Sequence, residues 1–106
     1  MGSIVNPTRQ NVPFSTQTDV TGSRALNTVY QNTTTHPMLL ELIIALNNAD
    51  SAYVYVGAAN PPLDIVARCY DNADIPYFPV SVVVPPGYYY RVVNAASIVA
   101  WWELTS

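Results

Sequence analysis

The sequence predicts an all-β protein: a compact antiparallel β-sandwich, jelly-roll-like, of about seven to eight strands with an extended N-terminal arm. Short runs of aliphatic, aromatic and threonine residues recur at about 8 to 12 positions, with turn residues between them, which is typical of sandwich strands. The last third of the chain is apolar on both faces of its predicted strands. A chain of 106 residues is long enough for one domain with a modest core.

The arm is assigned to residues 1–18 and the sandwich domain to residues 19–106. Residues 1–18 are polar, contain Pro7 and Pro13, and show no sustained periodicity. An arm of this kind can fold on a neighbouring subunit, so it belongs with the protein rather than with a tag.

Seven strands are predicted within the domain, at residues 25–31, 38–46, 52–58, 65–70, 77–84, 88–94 and 98–104. The turns between them fall at residues 33–37, 47–50, 60–62, 71–74 and 85–87. In the last of these, Pro86 presets φ and Gly87 accepts a positive φ, as a type II turn requires. This turn should join strands 77–84 and 88–94 as a hairpin. Upstream, Gly22 should allow a bend before the first strand, with Arg24 anchored to a carboxylate or a carbonyl.

Segment 38–46 is rich in leucine and alanine, which also favour helix, but its short length and its Asn-Asn exit favour a buried strand. As a strand it is apolar on both sides, because Leu39, Ile43 and Ala45 share the face that also carries Glu41. Strand 98–104 has the same property: Val99, Trp101 and Glu103 alternate with an entirely apolar set. A single sheet over one core alternates apolar with polar residues. The second cover is therefore expected to be another copy of the chain.

Composition supports assembly and argues against other partners. Half of the residues are hydrophobic and only 10% are charged, with no lysine and a formal net charge of −3. Nucleic-acid binding depends largely on cationic side chains, so no nucleic acid is expected as a partner. No membrane association is expected either, because no window contains the roughly 18 apolar residues that span a bilayer. The single cysteine, Cys69, is expected to be a small buried hydrophobe, with an interchain disulfide or a reactive thiol as the alternative.

Few residues point to catalysis, and no enzyme activity, cofactor or metal site is predicted. His36 is the only histidine and lies in a predicted turn. A calcium loop at Asp71, Asn72 and Asp74 is less favoured than an ordinary turn, since it has no bidentate glutamate at the required position. Paired carboxylates can hydrolyse glycosides. Glu41 and Glu103, however, are more simply explained as ion-pair partners for Arg24 and Arg91.

The aromatic residues have two possible roles, and the residues proposed for each differ. Tyrosine and tryptophan are enriched at interfaces and can also stack on sugars. Because Tyr88-Tyr89-Tyr90 must send its rings to alternating faces, at least one ring should leave the core. The candidate oligomer interface is Leu39, Ile43, Tyr89, Val99 and Trp101. The alternative glycan-contact set is Tyr53, Tyr55, Tyr70 and Tyr77.

Four sequence blocks resemble a small β-module of tailed-bacteriophage virion proteins, over about residues 15–106. The blocks are residues 19–33 (DVTGSRALNTVYQNT), 74–79 (DIPYFP), 84–90 (VPPGYYY) and 102–104 (WEL). Where a glycine is expected after Asn32-Thr33-Thr34, this chain has Thr35-His36. The resemblance implies head decoration proteins or terminal domains of tail fibres, commonly trimeric, with no catalytic residues.

The expected function is therefore that of a non-enzymatic structural protein on the virion surface. The leading expectation is a trimeric capsid decoration or cement protein whose partners are its own copies and the major capsid protein or tail proteins. The alternative is a receptor- or glycan-binding distal module of a tail fibre or baseplate.

Overall fold

A computed structural model describes residues 13–46, 51–70, 77–94 and 97–106 of the chain. This part of the chain forms eight strands and a short 3-10 turn at Thr21–Ser23. The strands are β1 (Thr16–Asp19), β2 (Tyr30–Gln31), β3 (Met38–Ala45), β4 (Ser51–Gly57), β5 (Ile65–Tyr70), β6 (Tyr77–Val84), β7 (Tyr89–Val93) and β8 (Ser97–Thr105).

The strands form two four-stranded antiparallel sheets. Sheet A has the order β1-β8-β3-β6, and sheet B has the order β2-β7-β4-β5. Only β4 and β5 are consecutive neighbours within one sheet; every other connection carries the chain from one sheet to the other. This order is that of an eight-stranded jelly roll. The predicted all-β sandwich is confirmed.

The core lies between the sheets, and it is built from every second residue of the central strands. On β3 the inward side chains are Met38, Leu40, Leu42 and Ile44, all at most 3% exposed. Strands β4 and β7 contribute Ala52, Val54, Val56, Tyr90 and Val92 from the opposite sheet. Because β3 pairs with both β6 and β8 along its length, segment 38–45 is the buried strand that the sequence favoured, rather than a helix.

Strand predictions succeeded where apolar runs are flanked by turn residues. Strands β5 and β6 have the predicted bounds, and β3, β4, β7 and β8 differ from prediction by one residue at one or both ends. The prediction for residues 25–31 was wrong except at Tyr30–Gln31. Strand β1 lies within and just after the segment assigned to the arm, and residues 1–12 of that arm lie outside the described residues. The predicted turns at 47–50 and 71–74 also lie outside them.

The predicted hairpin at residues 85–87 was wrong, although its turn chemistry was right. Gly87 has φ +79°, and the Tyr88 amide donates to the Pro85 carbonyl at 3.1 Å. The turn, however, carries the chain from β6 in sheet A to β7 in sheet B. Asn32 explains the change of sheet: its Nδ2 donates to the Val84 carbonyl at 2.9 Å and to the Pro85 carbonyl at 3.3 Å. This buried amide fixes the end of β6 at the crossover.

A β-bulge in β8 decides which of its side chains face the core. Ile43 pairs with Ala100 and Ile44 pairs with Ile98, so Val99 is an extra residue. Beyond the bulge, Trp101 and Glu103 point inward, while Trp102 and Leu104 point outward. Trp101 is 0% exposed, so it has no surface to offer a second copy and is withdrawn from the candidate interface. On β8, the sequence predicted two apolar faces, and the residue that faces outward is Trp102 rather than Trp101.

Candidate functional site

The inward carboxylate of Glu103 accepts four hydrogen bonds from side chains remote from it in sequence or beside it on β8. Arg24 donates to it twice, from Nε to Oε2 at 2.9 Å and from Nη2 to Oε1 at 2.8 Å. The Tyr90 hydroxyl donates to Oε2 at 2.7 Å, and the Trp101 indole Nε1 donates to the same oxygen at 3.2 Å. A carboxylate is tolerated in the core when donors of this kind surround it. The predicted anchoring of Arg24 to a carboxylate is confirmed.

Aromatic rings lie around this carboxylate, and the carboxylate raises the pKa values of Arg24 and Tyr90. The Arg24 guanidinium lies 4.6 Å from the centre of the Tyr30 ring, which contacts Trp101 edge-on at 5.8 Å. The hydrogen bond to Glu103 raises the pKa of Arg24 above its ordinary value. Burial raises the pKa of Tyr90, and its hydrogen bond to Glu103 raises it further. Glu103 therefore fixes side chains from three segments of the fold.

The two predicted carboxylates do not share a site. Glu41 pairs across the strands with Trp102, so its side chain lies on the outer face of sheet A, whereas Glu103 faces inward from the same sheet. The Ser81 hydroxyl donates a short hydrogen bond to Glu41 Oε2. Carboxyl groups on opposite faces of one sheet cannot flank a single glycosidic bond, as paired-carboxylate hydrolysis requires.

The outer face of sheet A, here called the apolar face, is formed by cross-strand rows of apolar side chains. Within these rows Ile43 is 39% exposed, Val83 is 50% exposed and Tyr77 is 58% exposed. Pairing across β6, β3 and β8 places the following residues on it: Leu39, Ile43, Ala45, Tyr77, Pro79, Val83, Ala100, Trp102 and Leu104. Glu41 and Ser81 form its polar centre.

Three of the predicted interface residues lie on or beside this face. Leu39 and Ile43 are outward residues of β3, and Val99 is 47% exposed at the bulge next to them. Tyr89 lies on the other sheet. Trp102 was missed, and it pairs directly with Glu41 near the centre of the face. Because adjacent residues of a strand face opposite sides, the inward orientation of Trp101 places Trp102 on the outer face.

The outer face of sheet B, here called the tyrosine–arginine face, is different in chemistry. It carries Tyr53, Tyr55, Tyr70, Tyr89, Arg68 and Arg91, which cross-strand pairing places together on β4, β5 and β7. The Arg68 guanidinium lies 5.5 Å from the centre of the Tyr53 ring, and that of Arg91 lies 4.6 Å from the centre of the Tyr55 ring. Three of the four predicted glycan-contact tyrosines share this face, while Tyr77 lies on the apolar face. The two arginines were missed as members of the set.

The remaining candidates have local structural roles or lie outside the described residues. Cys69 is a free, buried thiol, and burial raises its pKa, which matches the expected small hydrophobe. His36 is exposed in the loop before β3, where its carbonyl accepts hydrogen bonds from Asn32 and Thr34. The calcium alternative at Asp71, Asn72 and Asp74 lies outside the described residues. Within residues 13–46, 51–70, 77–94 and 97–106, no three His, Cys, Asp or Glu side chains come together to hold a metal ion.

No protein-family model, curated protein or solved structure matches this chain. In the part of the chain that the structure describes, no helix is long and apolar enough to cross a membrane.

Proposed function

We propose that this protein is a non-enzymatic structural component of a phage virion, a trimer that decorates or cements the capsid surface. The observation that carries the proposal is the apolar face, where Trp102, Leu39 and Ile43 lie outside the core. The virion assignment rests on the four resembling sequence blocks. The jelly roll is compatible with it, since this architecture recurs in viral capsid proteins, although a fold alone does not define a function.

The size of the apolar face supports its use in assembly. The three strands that carry the apolar rows are spaced about 4.8 Å apart, and β3 is about 27 Å long, which gives a footprint of about 390 Å². This value lies within the range of about 300–600 Å² for the largest apolar patch of a monomer, and such patches often have a function. Covering the face with a neighbouring subunit removes Trp102 and its apolar neighbours from water.

Glu41 sets a condition on that contact. A carboxylate is costly at an interface unless it is hydrogen-bonded, and Ser81 supplies one donor. The neighbouring subunit or bridging water must supply the others. The carboxylate therefore favours one orientation of the contact over many equivalent hydrophobic ones.

Native mass tests the trimer directly. Light scattering of the wild-type protein is expected to give three times the chain mass of 11.6 kDa. Trp102→Glu is expected to give monomer, because it places an unpaired charge in the contact. The matched control is Tyr70→Glu on sheet B, which should keep the trimer. A wild-type monomer at high concentration contradicts the proposal, as does a Trp102→Glu trimer.

Location on the virion is tested by antibody labelling of particles. Label distributed over the heads is expected for decoration or cement. Label confined to tail tips counts against it and favours the second candidate.

The second candidate is a glycan-binding distal module of a tail fibre or baseplate. It is favoured by the tyrosine–arginine face, which places Tyr53, Tyr55 and Tyr70 on one sheet, with Tyr70 exposed and the other two half-buried. Flat rings of this kind cover the apolar faces of sugars, while their hydroxyls offer hydrogen bonds.

A further inference from the structure

We propose that the tyrosine–arginine face binds an anionic polysaccharide, with Arg68 and Arg91 as the residues that recognise its acidic groups. This inference rests on the second candidate function and narrows its ligand class. It concerns the sheet opposite the apolar face, so it is independent of how the subunits assemble.

Charge is distributed unequally between the two outer faces. Arg24 is neutralised by Glu103 inside the sandwich, with their atoms 2.8 Å apart. The other two described cations, Arg68 and Arg91, both lie on the tyrosine–arginine face. Glu41 lies on the apolar face, and Asp19 pairs with Trp102 at the end of β1 on the outer side of sheet A. Asp64 is exposed immediately before β5, at the edge of sheet B. Thus a protein with a formal net charge of −3 presents a locally cationic surface on sheet B.

The tyrosines prepare the arginines to bind anions. Each guanidinium rests over a ring, Arg91 over Tyr55 and Arg68 over Tyr53. A guanidinium supported in this way keeps its planar edge available for two parallel hydrogen bonds to a carboxylate or a sulfate. Less conformational freedom is then lost on binding. The role of Tyr53 and Tyr55 is therefore to position cations, since the arginines cover their ring faces.

Arg91 also carries an unusual buried donor. Its Nε is shielded from water and has no hydrogen-bond partner among the described residues. An unsatisfied buried donor destabilises the folded state. The fold accepts this cost on the outer face of β7, a central strand of sheet B. A guanidinium kept at this position in spite of that cost supports a role for Arg91 in binding anions.

The placement of the two arginines suits an extended ligand. Arg68 pairs with Tyr53 on one side of β4, and Arg91 pairs with Tyr55 on the other side. Two strand spacings and two residues along the strand separate their Cα atoms by about 12 Å. A polymer with repeated acidic groups can engage both arginines along its length.

Two further tyrosines extend the face on either side of the arginines. Tyr70 pairs with Ser51, and Tyr89 pairs with Gly57, at opposite ends of β4. Tyr70 is 50% exposed, and its ring has room for stacking on a sugar. A shallow depression of about 310 Å³, lined by residues 65–68, adjoins Arg68. The result is an open track rather than a closed pocket, which suits a long chain.

Among polyanions, an acidic glycan fits better than a nucleic acid. Affinity for nucleic acid depends on neutralising many closely spaced phosphates. This face offers two cations, on a chain whose overall charge is negative. In an acidic glycan, sparse acidic groups can bind the two arginines, and the apolar sugar faces between them can stack on the tyrosine rings beside the arginines.

Calorimetric titration tests the inference with four probes: oligogalacturonate, which carries carboxylates; dextran sulfate, which carries sulfates; a neutral maltooligosaccharide; and single-stranded oligothymidylate. The wild-type protein is expected to bind at least one acidic glycan at least tenfold more tightly than the neutral one, with affinity falling as salt rises. Preference between the first two probes identifies the acidic group. Arg91→Gln and Arg68→Gln are each expected to weaken acidic-glycan binding about tenfold or more.

Two controls separate recognition from loss of structure. Glu41→Gln lies on the apolar face and should leave affinity unchanged. Tyr55→Phe keeps the ring beneath Arg91 and should retain binding, whereas Tyr55→Leu removes the ring and should weaken binding. Circular dichroism of every variant should match that of the wild type.

Four outcomes overturn the inference, in distinguishable ways. Equal binding of neutral and acidic glycans, insensitive to both arginine variants, leaves the glycan-binding candidate standing and removes the acidic preference. No binding of any glycan removes both. Oligothymidylate binding as tight as that of the acidic glycans identifies a nucleic-acid surface. A change in native mass on Arg91→Gln identifies a contact between copies.

Discussion

The two faces of sheet A each carry one tryptophan and one glutamate, and the two pairs have opposite roles. Trp101 and Glu103 face inward, where the carboxylate accepts hydrogen bonds from Arg24, Tyr90 and Trp101 itself. Trp102 and Glu41 face outward, where Ser81 donates to the carboxylate. The difference shows that the donors around a carboxylate, rather than its place in an alternating pattern, determine whether it belongs to the core.

The inner pair holds the fold together, and the outer pair is available for contact with another molecule. On β8 the two tryptophans are adjacent in sequence, so each serves as a control for the other. The same applies to the two glutamates, which lie on the neighbouring strands β3 and β8. Variants at these four positions test whether the inner and outer faces of sheet A differ in this way.

The largest difference is expected between the two tryptophans. Trp101→Ala should lower the free energy of unfolding by about 3–5 kcal/mol, because it leaves a large cavity in the core. Trp102→Ala should lower it by about 1 kcal/mol or less, since surface substitutions have small effects. Urea denaturation at low protein concentration, where subunit contacts contribute least, measures both. Equal losses would show that the inner and outer assignments are mistaken.

Replacing the inner glutamate should lower the free energy of unfolding more than replacing the outer one, but the difference should be smaller than for the tryptophans. Glu103→Gln leaves Arg24 without a counter-charge and should cost about 2–3 kcal/mol, less than for a fully buried pair. The cost is reduced because the Arg24 side chain is 22% exposed. Glu41→Gln should change stability by no more than about 0.5 kcal/mol. Denaturation curves at pH 7 give both values, and a loss at Glu41 as large as that at Glu103 contradicts the comparison.

The most selective test of the inner face is the pH dependence of stability that Tyr90 produces. Burial and the Glu103 carboxylate raise its pKa in the folded state, so the folded protein favours the neutral phenol. The resulting stabilisation is complete below the unfolded-state pKa of about 10 and is lost as pH rises above it. The urea concentration at the midpoint of unfolding of the wild type should therefore decrease as the pH is raised from about 9 to about 11, because the phenol of the unfolded state ionises near pH 10.

Tyr90→Phe supplies the control for that titration. It removes the hydrogen bond to Glu103 and should be less stable than the wild type at pH 8, by about 1.5–3 kcal/mol. Its midpoint should then change less with rising pH, because no phenol remains to ionise inside the core. An alkaline loss as steep as that of the wild type would assign the effect to other tyrosines.

Local chemistry made the long strands predictable. Segments 38–45, 65–70 and 77–84 are apolar runs bounded by turn residues, and each forms the expected strand. Strand β1 has no such signal, because Thr16–Asp19 is polar and exposed and becomes a strand by pairing with β8. In the segment 25–31, Asn27 has φ +62° and its amide donates to the Val92 carbonyl at 2.7 Å. A contact between residues so distant in sequence cannot be predicted from the local sequence of either.

The candidate surfaces were predictable only in part, for a related reason. Alternation along β3 and β8 predicted two apolar faces, and Leu39 and Ile43 lie where expected. The inward direction of Trp101 depends on the bulge at Val99, which shifts the register of β8 against β3. The pairing of Arg68 with Tyr53 depends on register between strands. Turn chemistry at Gly87 likewise gave the correct turn without showing that β6 and β7 belong to different sheets.

Strand β8 follows all the other strands in the sequence, yet it lies between β1 and β3 within sheet A. Thr16 pairs with Thr105, so this sheet joins segments from opposite ends of the described chain. During synthesis, β1 and β3 must therefore emerge from the ribosome and wait without their shared neighbour. Sheets built from such remote pairings form slowly. Until β8 emerges, the edge of β3 that pairs with it remains open, and open strand edges promote aggregation.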